Sequence, residues 1–598
     1  MAKGSFRGFA RGFYFKLAWN NIRRAKEIYL PYLTATAIIG GVYFLVTGLV
    51  FSQGLTNVPS GETARAVFAL GLVMYSIFSF GFMIYINNFL IKRRRREFGL
   101  YGVLGLSKGH VSRVLLWENL LLLGLGLAAG ILVMLVFGKL LFMLLMNFIH
   151  GAPDSCFIIS PLAYVSTGIL FALIFAATSL YNLAQVRLAN PIVLLQSEKR
   201  GEKESRLVIP LTLFGTAALG FSYYMAAVID HPGLAVGIFF PLVILVILAT
   251  YALFTAGSIA VLRLLRKNKR IYYKQSNFVA ISGMFHRMKQ NAAGLATICI
   301  LSTMLIVTVS GTLSLYLCQE ETLRSGHPYD VRIAFSGDAD EELLRRLDAH
   351  LGEVAGDLGL DIEVDESKAL SRDSELGKQQ EALIRQLDEK GESFGKDLTD
   401  KVLYHEKERL ANSLMLDGSL YLDLDGPEEA CLEFVPAVTK QWRDSPKGEG
   451  EPLGFSSYEI FSARQQSYGL YGGLLFLGAF FGILFLVVTV LIIYFKQIAE
   501  GYEDKERFAI LQKVGMDEKQ VKAAINCQVR WVFFLPLGAA FLHMAFAGKM
   551  LPVMLAAFRL YNAPVVYACS AGVCGVFALI YLLVYRMTAR VYYRIVRW

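Results

Sequence analysis

Residues 95–112, RREFGLYGVLGLSKGHVS, recur as residues 505–522, KERFAILQKVGMDEKQVK, at a constant offset of 410. Without a gap, Phe98 meets Phe508, Leu100 meets Ile510, Gly105 meets Gly515, Leu106-Ser107 meets Met516-Asp517, and Val111 meets Val521. Farther on, the same offset pairs Gly138-Lys139 with Gly548-Lys549, and after a four-residue slip FALIF at 171–175 meets FALIY at 577–581. A weaker echo joins WNNIRRAKEI (19–28) to SGMFHRMKQN (282–291), where Arg24 and Lys26 meet Arg287 and Lys289. The chain is therefore built from two copies of one unit. Repeats of this kind in membrane proteins commonly build two halves around a shared site or seam.

The surroundings of the repeat are apolar. Of 598 residues, 55% are hydrophobic and 18% charged, and mean hydropathy is +0.47; soluble chains carry roughly 25% charge. Runs long enough to cross a hydrocarbon core of about 30 Å lie near 30–52, 66–91, 114–138, 162–186, 207–229, 234–262, 292–317, 469–495, 530–549 and 564–585. Lys and Arg mark the inner side of a membrane. With the N-terminus inside, segments 1–29, 92–113, 187–206, 263–289, 496–530 and 586–598 hold 38 of the 42 bases found outside residues 319–468. Both termini are thus expected on the cytoplasmic side. The fold class is an α-helical integral membrane protein of about ten spans, arranged as two four-helix modules, spans 1–4 and 7–10, plus two linking helices.

The boundaries follow. Residues 1–29 read as an amphipathic cytoplasmic helix, because bases alternate with Phe6, Phe9, Phe13, Phe15 and Trp19 and the next apolar run is too long for a cleavable signal core. The first module is 30–186 with its repeated element at 92–112; linking spans occupy 207–262; a cytoplasmic helix and span seven occupy 263–317; spans 8–10 occupy 469–598 with the second element at 496–522. Between them, 318–468 is an acidic extracellular domain: Gln319 to Tyr468 holds 34 acids and 17 bases, a charge of −17. It reads as mixed α and β, with an amphipathic helix at 338–352 and an alternating strand at 419–424. Of seven cysteines, Cys299, Cys527, Cys569 and Cys574 fall in or beside spans, whereas Cys318 and Cys431 are candidates for a disulfide.

The repeated element predicts a short helix–turn–helix. Phe98, Tyr101 and Leu104, like Phe508, Leu511 and Val514, recur at helical spacing. Gly105 or Gly515 suits a left-handed C-terminal cap, and Ser107 or Asp517 would supply an N-cap oxygen to the next helix. Asp517 with Gln520 has capping-box spacing. An ordinary interfacial helix is one reading. Duplication at both module centres favours a docking surface, since such an apolar face would otherwise stay wet.

Other chemistry is missing from the sequence. There is no GxxxxGK[ST] for ATP. Gly124, Gly126 and Gly130 imitate a dinucleotide fingerprint without strand–turn–helix context, so close helix packing is the expected role. The eight histidines are dispersed, without HExxH or any Cys/His spacing for metal. Few ionisable residues sit at bilayer depth, which argues against a secondary transporter or proton pump. Any energy source then lies on another chain, and the bases fringe apolar spans, which argues against a nucleic-acid binder.

At RRREFGLYGVLGLSK (94–108) and YFKQIAEGYEDKERFAILQKVGM (494–516) the sequence resembles the permease of bacitracin-resistance-type ABC transporters, in the FtsX-like permease superfamily. The ten-span layout with one large outer domain between spans 7 and 8 matches that family as well. The resemblance implies a non-catalytic plasma-membrane subunit in a Gram-positive bacterium, with no cofactor of its own, paired with two copies of an ATPase that binds ATP and Mg. It further implies resistance to peptide antibiotics that seize cell-wall lipid intermediates, signalling through a membrane histidine kinase, and contact with an undecaprenyl-type lipid among the membrane lipids. The ATPase-coupling residues it implies are Arg96, Glu97, Phe98, Leu100, Tyr101, Gly105 and Leu106, and Glu506, Arg507, Phe508, Leu511, Gly515, Met516 and Asp517. A receptor scaffold that senses envelope stress without moving substrate is the alternative from another class.

Two further expectations come from the residues. Lys139 and Lys549 are repeat-paired cations near the outer interface; they could contact a lipid phosphate, or snorkel to the interface. Glu118, opposite Gln528 in the repeat, is expected to pair with a nearby base.

Overall fold

The computed structural model describes residues 3–56, 58, 60–103, 106–151, 159–188, 208–267, 275–326, 329–335, 341–364, 418–444, 455–513, 518–558, 560 and 562–596. They form two compact units, one of Met1–Leu317, Gly469–Ala557 and Asn562–Trp598, the other of Cys318–Tyr468 with Phe558–Tyr561. Among the described residues, ten helices are long and apolar enough to cross a membrane, and each coincides with one of the ten apolar runs.

In the first unit, α1 (Lys3–Arg24) leads through Ala25 to α2 (Lys26–Val50) and the short α3 (Gln53–Thr56). Then come α4 (Gly61–Arg93), α5 (Arg95–Val103), α6 (Lys108–Phe148) and α7 (Pro161–Leu188). The linking pair is α8 (Val208–Val228) and α9 (Pro232–Ala252), continued by a π-helical turn at Leu253–Gly257 and by α10 (Ser258–Lys267). The last spans are α11 (Gln275–Leu317), α15 (Ile460–Lys513), α16 (Glu518–Ala556) and α17 (Ala563–Val596). Several helices outrun their apolar stretches, because a hydropathy window registers only the hydrocarbon-matched part while the polar flanks continue the same backbone hydrogen bonding.

The two modules repeat one packing pattern. α2 packs on α6 and α7, and α6 on α7; correspondingly α11 packs on α16 and α17, and α16 on α17. The first residues of α6 and α16, Lys108 and Glu518, keep the offset of 410. Small residues bring backbones together where α2 crosses α6. A Cβ at Gly130 would lie 2.2 Å from the Ala37 carbonyl oxygen, and one at Gly126 would lie 2.7 Å from Thr36 Cβ. A Cβ at Gly124 would meet nothing within 4 Å. The packing role therefore holds for Gly126 and Gly130 and fails for Gly124, which at 3.6 residues per turn points to the other side of the helix. Three hydroxyls of α11 are satisfied locally: Ser302, Ser310 and Ser314 donate to carbonyls one turn earlier, at 2.6–2.7 Å.

α1 covers Lys3–Arg24 of the expected 1–29 and stops at Ala25, and Lys26 already begins α2. Tyr14 and Ala18 are buried with Val114 of α6, and the Phe15 ring meets Trp117 edge-on at 5.5 Å, while Phe13, Phe15 and Trp19 stay exposed.

The second unit adds α12 (Gln319–Gly326), β1 (Val331–Phe335), α13 (Glu341–Leu358), β2 (Asp361–Val364), β3 (Gly418–Asp425), α14 (Glu428–Asp444) and β4 (Phe455–Glu459). The sheet order is β2-β3-β1-β4, with every described pair antiparallel, Ile333 facing Leu420 and Ser457. Along β3, Leu422 and Leu424 enter the core while Asp423 and Asp425 stay exposed, as a period of two requires. Leu347, Leu351 and Val354 of α13 and Phe434 and Val438 of α14 close that core. Gly359, at φ +69°, ends α13, and Leu360 N–H donates back to the Ala355 carbonyl at 2.9 Å. Cys318 and Cys431 are both buried and not joined to each other, so the candidate disulfide is not formed. Burial first, and then the carboxylates of Asp330, Glu428 and Asp425, push the Cys431 thiol above its ordinary range.

Candidate coupling site

α4 does not run into α6. It stops at Arg93, the chain turns at Arg94, and α5 forms a separate nine-residue helix before α6 begins. Leu106 N–H returns to the Tyr101 carbonyl at 2.9 Å, a six-to-one bond of the kind that closes helix C-termini. Gly105, the glycine assigned to this turn, lies outside the described residues, as do Gly515, Met516 and Asp517. Ser107 takes the extended N-cap backbone of α6, but its hydroxyl makes no capping hydrogen bond, contrary to the sequence reading. Its carbonyl instead accepts from His110 N–H at 2.9 Å.

The phase of α5 divides the expected coupling residues. Phe98 is 6% exposed and packs with Ile91, Val111, Leu115 and Val186, with Tyr101 and Leu106 at the edge of that cluster. Leu100 projects outward at 53% exposure, and Glu97 is likewise exposed. The side chains of Arg96, Glu506, Arg507, Phe508 and Leu511 lie outside the described residues.

Behind α5 lies a polar anchor. The Arg94 guanidinium donates to Glu118 of α6 through Nη1, and through Nη2 at 3.2 Å, while Nε donates to Glu97 at 2.7 Å. The Tyr29 and Phe98 rings lie 5.4 and 5.2 Å from its Cζ. Asn21 Nδ2 donates to Glu118 Oε1 at 2.7 Å and reaches the Tyr101 hydroxyl at 3.3 Å. Burial alone would lower the Arg94 pKa; Glu118, Tyr29 and Glu97 outweigh it and raise the pKa above the ordinary arginine value. One ion pair thus ties together the ends of α1, α2 and α4 and the start of α6. The base expected for Glu118 is Arg94. Nothing in the run Arg93–Arg96 says which arginine turns inward, although a carboxylate at the end of an apolar span was the available signal.

The second copy is anchored differently. Asp504, at the repeat position of Arg94, accepts a hydrogen bond from the Tyr592 hydroxyl of α17. Gly501 packs beside that contact, its Cβ position 3.4 Å from Tyr592 Cδ2 and from Ile595 Cγ2. Lys496 and Glu500, both buried, face each other at 4.0 Å one turn before.

The modules meet along α4 and α15 through aromatic rings. Phe68 packs on Phe476, Tyr75 on Phe481, Phe78 on Phe485 and Phe89 on Phe495, at centroid separations of 6.0, 5.7, 5.5 and 5.1 Å. A Cβ at Gly469 would lie 2.1 Å from the Ser60 carbonyl oxygen, so one end of this seam is backbone against backbone. The repeat-paired lysines differ as well. Lys549 pairs with Asp230 at 3.1 Å and donates to the Ala227 carbonyl, whereas Lys139 is exposed on α6.

Residues 68–191, which hold α5 and its anchor on α6, match the family model described as FtsX-like permease C-terminal. Across nearly the whole chain there are relatives among ABC transporter permeases. YvcS of Bacillus subtilis (strain 168), named an uncharacterized ABC transporter permease, is 24% identical over 90% of this chain and 93% of its own length. The ABC transporter permease protein YxdM of the same organism is 24% identical over 90% of this chain and 94% of its own. The bacitracin export permease protein BceB of that organism is 23% identical over 89% of this chain and 92% of its own.

Proposed function

We propose that this chain, which carries an FtsX-like permease domain at 68–191 and resembles ABC transporter permeases over most of its length, is the membrane subunit of a complex that confers resistance to peptide antibiotics seizing cell-wall lipid intermediates, and that senses them. A separate ATPase, in two copies that carry ATP and Mg, docks on the two repeated elements. The bias of Lys and Arg toward alternate loops supports a cytosolic position for those elements and an outer one for the acidic inserted domain. A membrane histidine kinase reads the state of the permease, and the antibiotic is dislodged from an undecaprenyl-type lipid rather than passed through a channel.

The observation that carries this reading is α5 itself. A coupling helix must offer an exposed apolar group on a base that transmits force, and Leu100 faces outward from a helix clamped by Arg94, Glu97, Glu118 and Phe98. The ring-filled seam of α4 and α15 supports lateral extraction over passage between the modules. The charge of −17 on residues 319–468 supports cationic peptides as ligands, because such a field raises their local concentration in a salt-sensitive way. The bacitracin export relatives support the substrate class.

The test is affinity purification from native membranes of wild type and of Leu100→Asp with Ile510→Asp, scored by mass spectrometry beside bacitracin susceptibility. Co-purification of an ATPase with wild type, and its loss together with resistance in the variant at equal membrane level, is the expected result. An ATPase and resistance both retained in the variant would remove the docking role. No ATPase in either sample would leave the envelope-stress scaffold in its place.

A further inference from the structure

The two modules differ in what covers their third span. On the second, α8 and α9 lie along α16. The imidazole of His543 bonds the Tyr223 hydroxyl at 2.6 Å and the Thr250 hydroxyl at 3.1 Å, and the Tyr223 ring stacks on Phe546 at 3.9 Å with 9° between planes. Met550, Val553 and Met554 pack with Ala226, Ala235 and Leu242. At one end of the interface Lys549 holds the Ala227 carbonyl, near the end of α8, and the Asp230 carboxylate in the turn between α8 and α9. A lysine of α16 thus meets the hairpin turn at the edge of this apolar packing, in a pair whose side chains are 52% and 76% exposed.

The offset of 410 that relates the starts of α6 and α16 carries these α16 positions onto Val133, Val136, Lys139, Leu140, Met143 and Leu144. All six are exposed, Val136 at 73% and Leu140 at 61%. We propose that this face of α6 is the seat of a second transmembrane hairpin, supplied by a different membrane chain, whose turn offers a carboxylate and a helix-terminal carbonyl to Lys139. Lipid tails would wet the aliphatic part equally well and leave the Lys139 ammonium to snorkel to the interface; a hairpin turn would instead give it the two acceptors that Lys549 has at the repeat position. Among the described residues, the spans outside the two modules are α8 and α9, and these are already seated on α16, so the occupant must come in trans. Its middle differs from α8 and α9: Val133 stands where His543 stands, so an aliphatic contact replaces the Tyr223 and Thr250 hydroxyls. The inference rests on repeat geometry and not on the transport reading, and either can fail alone.

The test places a photo-crosslinking benzoylphenylalanine at Val136 of the full-length chain in its native membrane, with Leu579 of α17, 62% exposed, as the control position. The expected result is an adduct between residue 136 and one of two adjacent spans of another membrane protein, absent from the control. Lys139→Glu should lower its yield about fivefold, because it turns a partly exposed charge pair into a like-charge contact, and a lysine in place of the carboxylate in the captured turn should restore it. Lys139→Leu, which keeps an apolar helix surface, guards against a folding defect and should give an intermediate yield. Adducts to lipid alone, to a second copy of this chain, or to the same protein from both positions would overturn the proposal, as would a yield indifferent to Lys139→Glu.

Discussion

Arg94 and Glu118, 24 residues apart, form an ion pair whose side chains are each 3% exposed, directly behind the helix that carries Leu100. A charge pair so deeply buried offsets its own desolvation only while both partners and their extra hydrogen bonds are present. Here the extra bonds come from Asn21 and go to Glu97. Arg94→Leu or Glu118→Leu alone should destabilise the first module by about 3–5 kcal/mol, read as a lowered unfolding midpoint in detergent. The double substitution should recover much of that loss, because no uncompensated charge stays buried.

Phe98 and Leu100 should separate folding from docking. Phe98→Ala empties a packed site between α5, α6 and α7 and should cost about 3–5 kcal/mol. Leu100→Asp alters an exposed position and should change stability by no more than about 0.5 kcal/mol. If Leu100→Asp lowers the unfolding midpoint as much as Phe98→Ala does, the phase of α5 is wrong.

Two glycines of one span should behave oppositely. At Gly130 a methyl group would collide with the Ala37 carbonyl and with Gly41 N, at 2.2 and 2.9 Å, so Gly130→Ala must push α2 and α6 apart. The expected loss is about 1–3 kcal/mol. Gly124→Ala meets open space and should be neutral or slightly stabilising. Parallel thermal melts of the two variants decide the matter.

Cys431 links the inserted domain to pH. Its folded pKa is raised, first by burial and then by neighbouring carboxylates, so the folded state disfavours the thiolate. The stabilisation this gives is complete below the unfolded thiol pKa, about 8.5, and is lost as pH rises through the higher folded value. Domain stability should therefore decline above about pH 8.5, and Cys431→Ala should flatten that decline. Maleimide labelling of native Cys431 should stay slow at neutral pH and become fast on denaturation.

Ten spans, two modules and an acidic insert were legible because each is a sum over many residues: hydropathy over a bilayer thickness, charge over a whole segment, similarity over a repeated element. The need of Glu118 for a base was legible too, since a carboxylate at the end of an apolar span cannot stay unpaired without cost. The choice of Arg94 from four consecutive arginines was not, nor was the inward turn of Phe98 against the outward turn of Leu100. Those depend on a rotation of about 100° per residue about one short helix, which composition does not record.

The symmetry of the repeat is a property of the sequence alone, whereas its breaking belongs to the tertiary structure. Lys139 and Lys549 read identically in their local frames, yet packing of α8 and α9 against α16 gives Lys549 a carboxylate and a carbonyl and leaves Lys139 exposed. Arg94 and Asp504 stand at one repeat position, yet the first is held by α6 and the second by α17. The physical reason is common to both pairs. Burial of an apolar helix face is nearly indifferent to which neighbour covers it, while a buried charge is satisfied only by the particular partner that the assembled helices bring within hydrogen-bond reach.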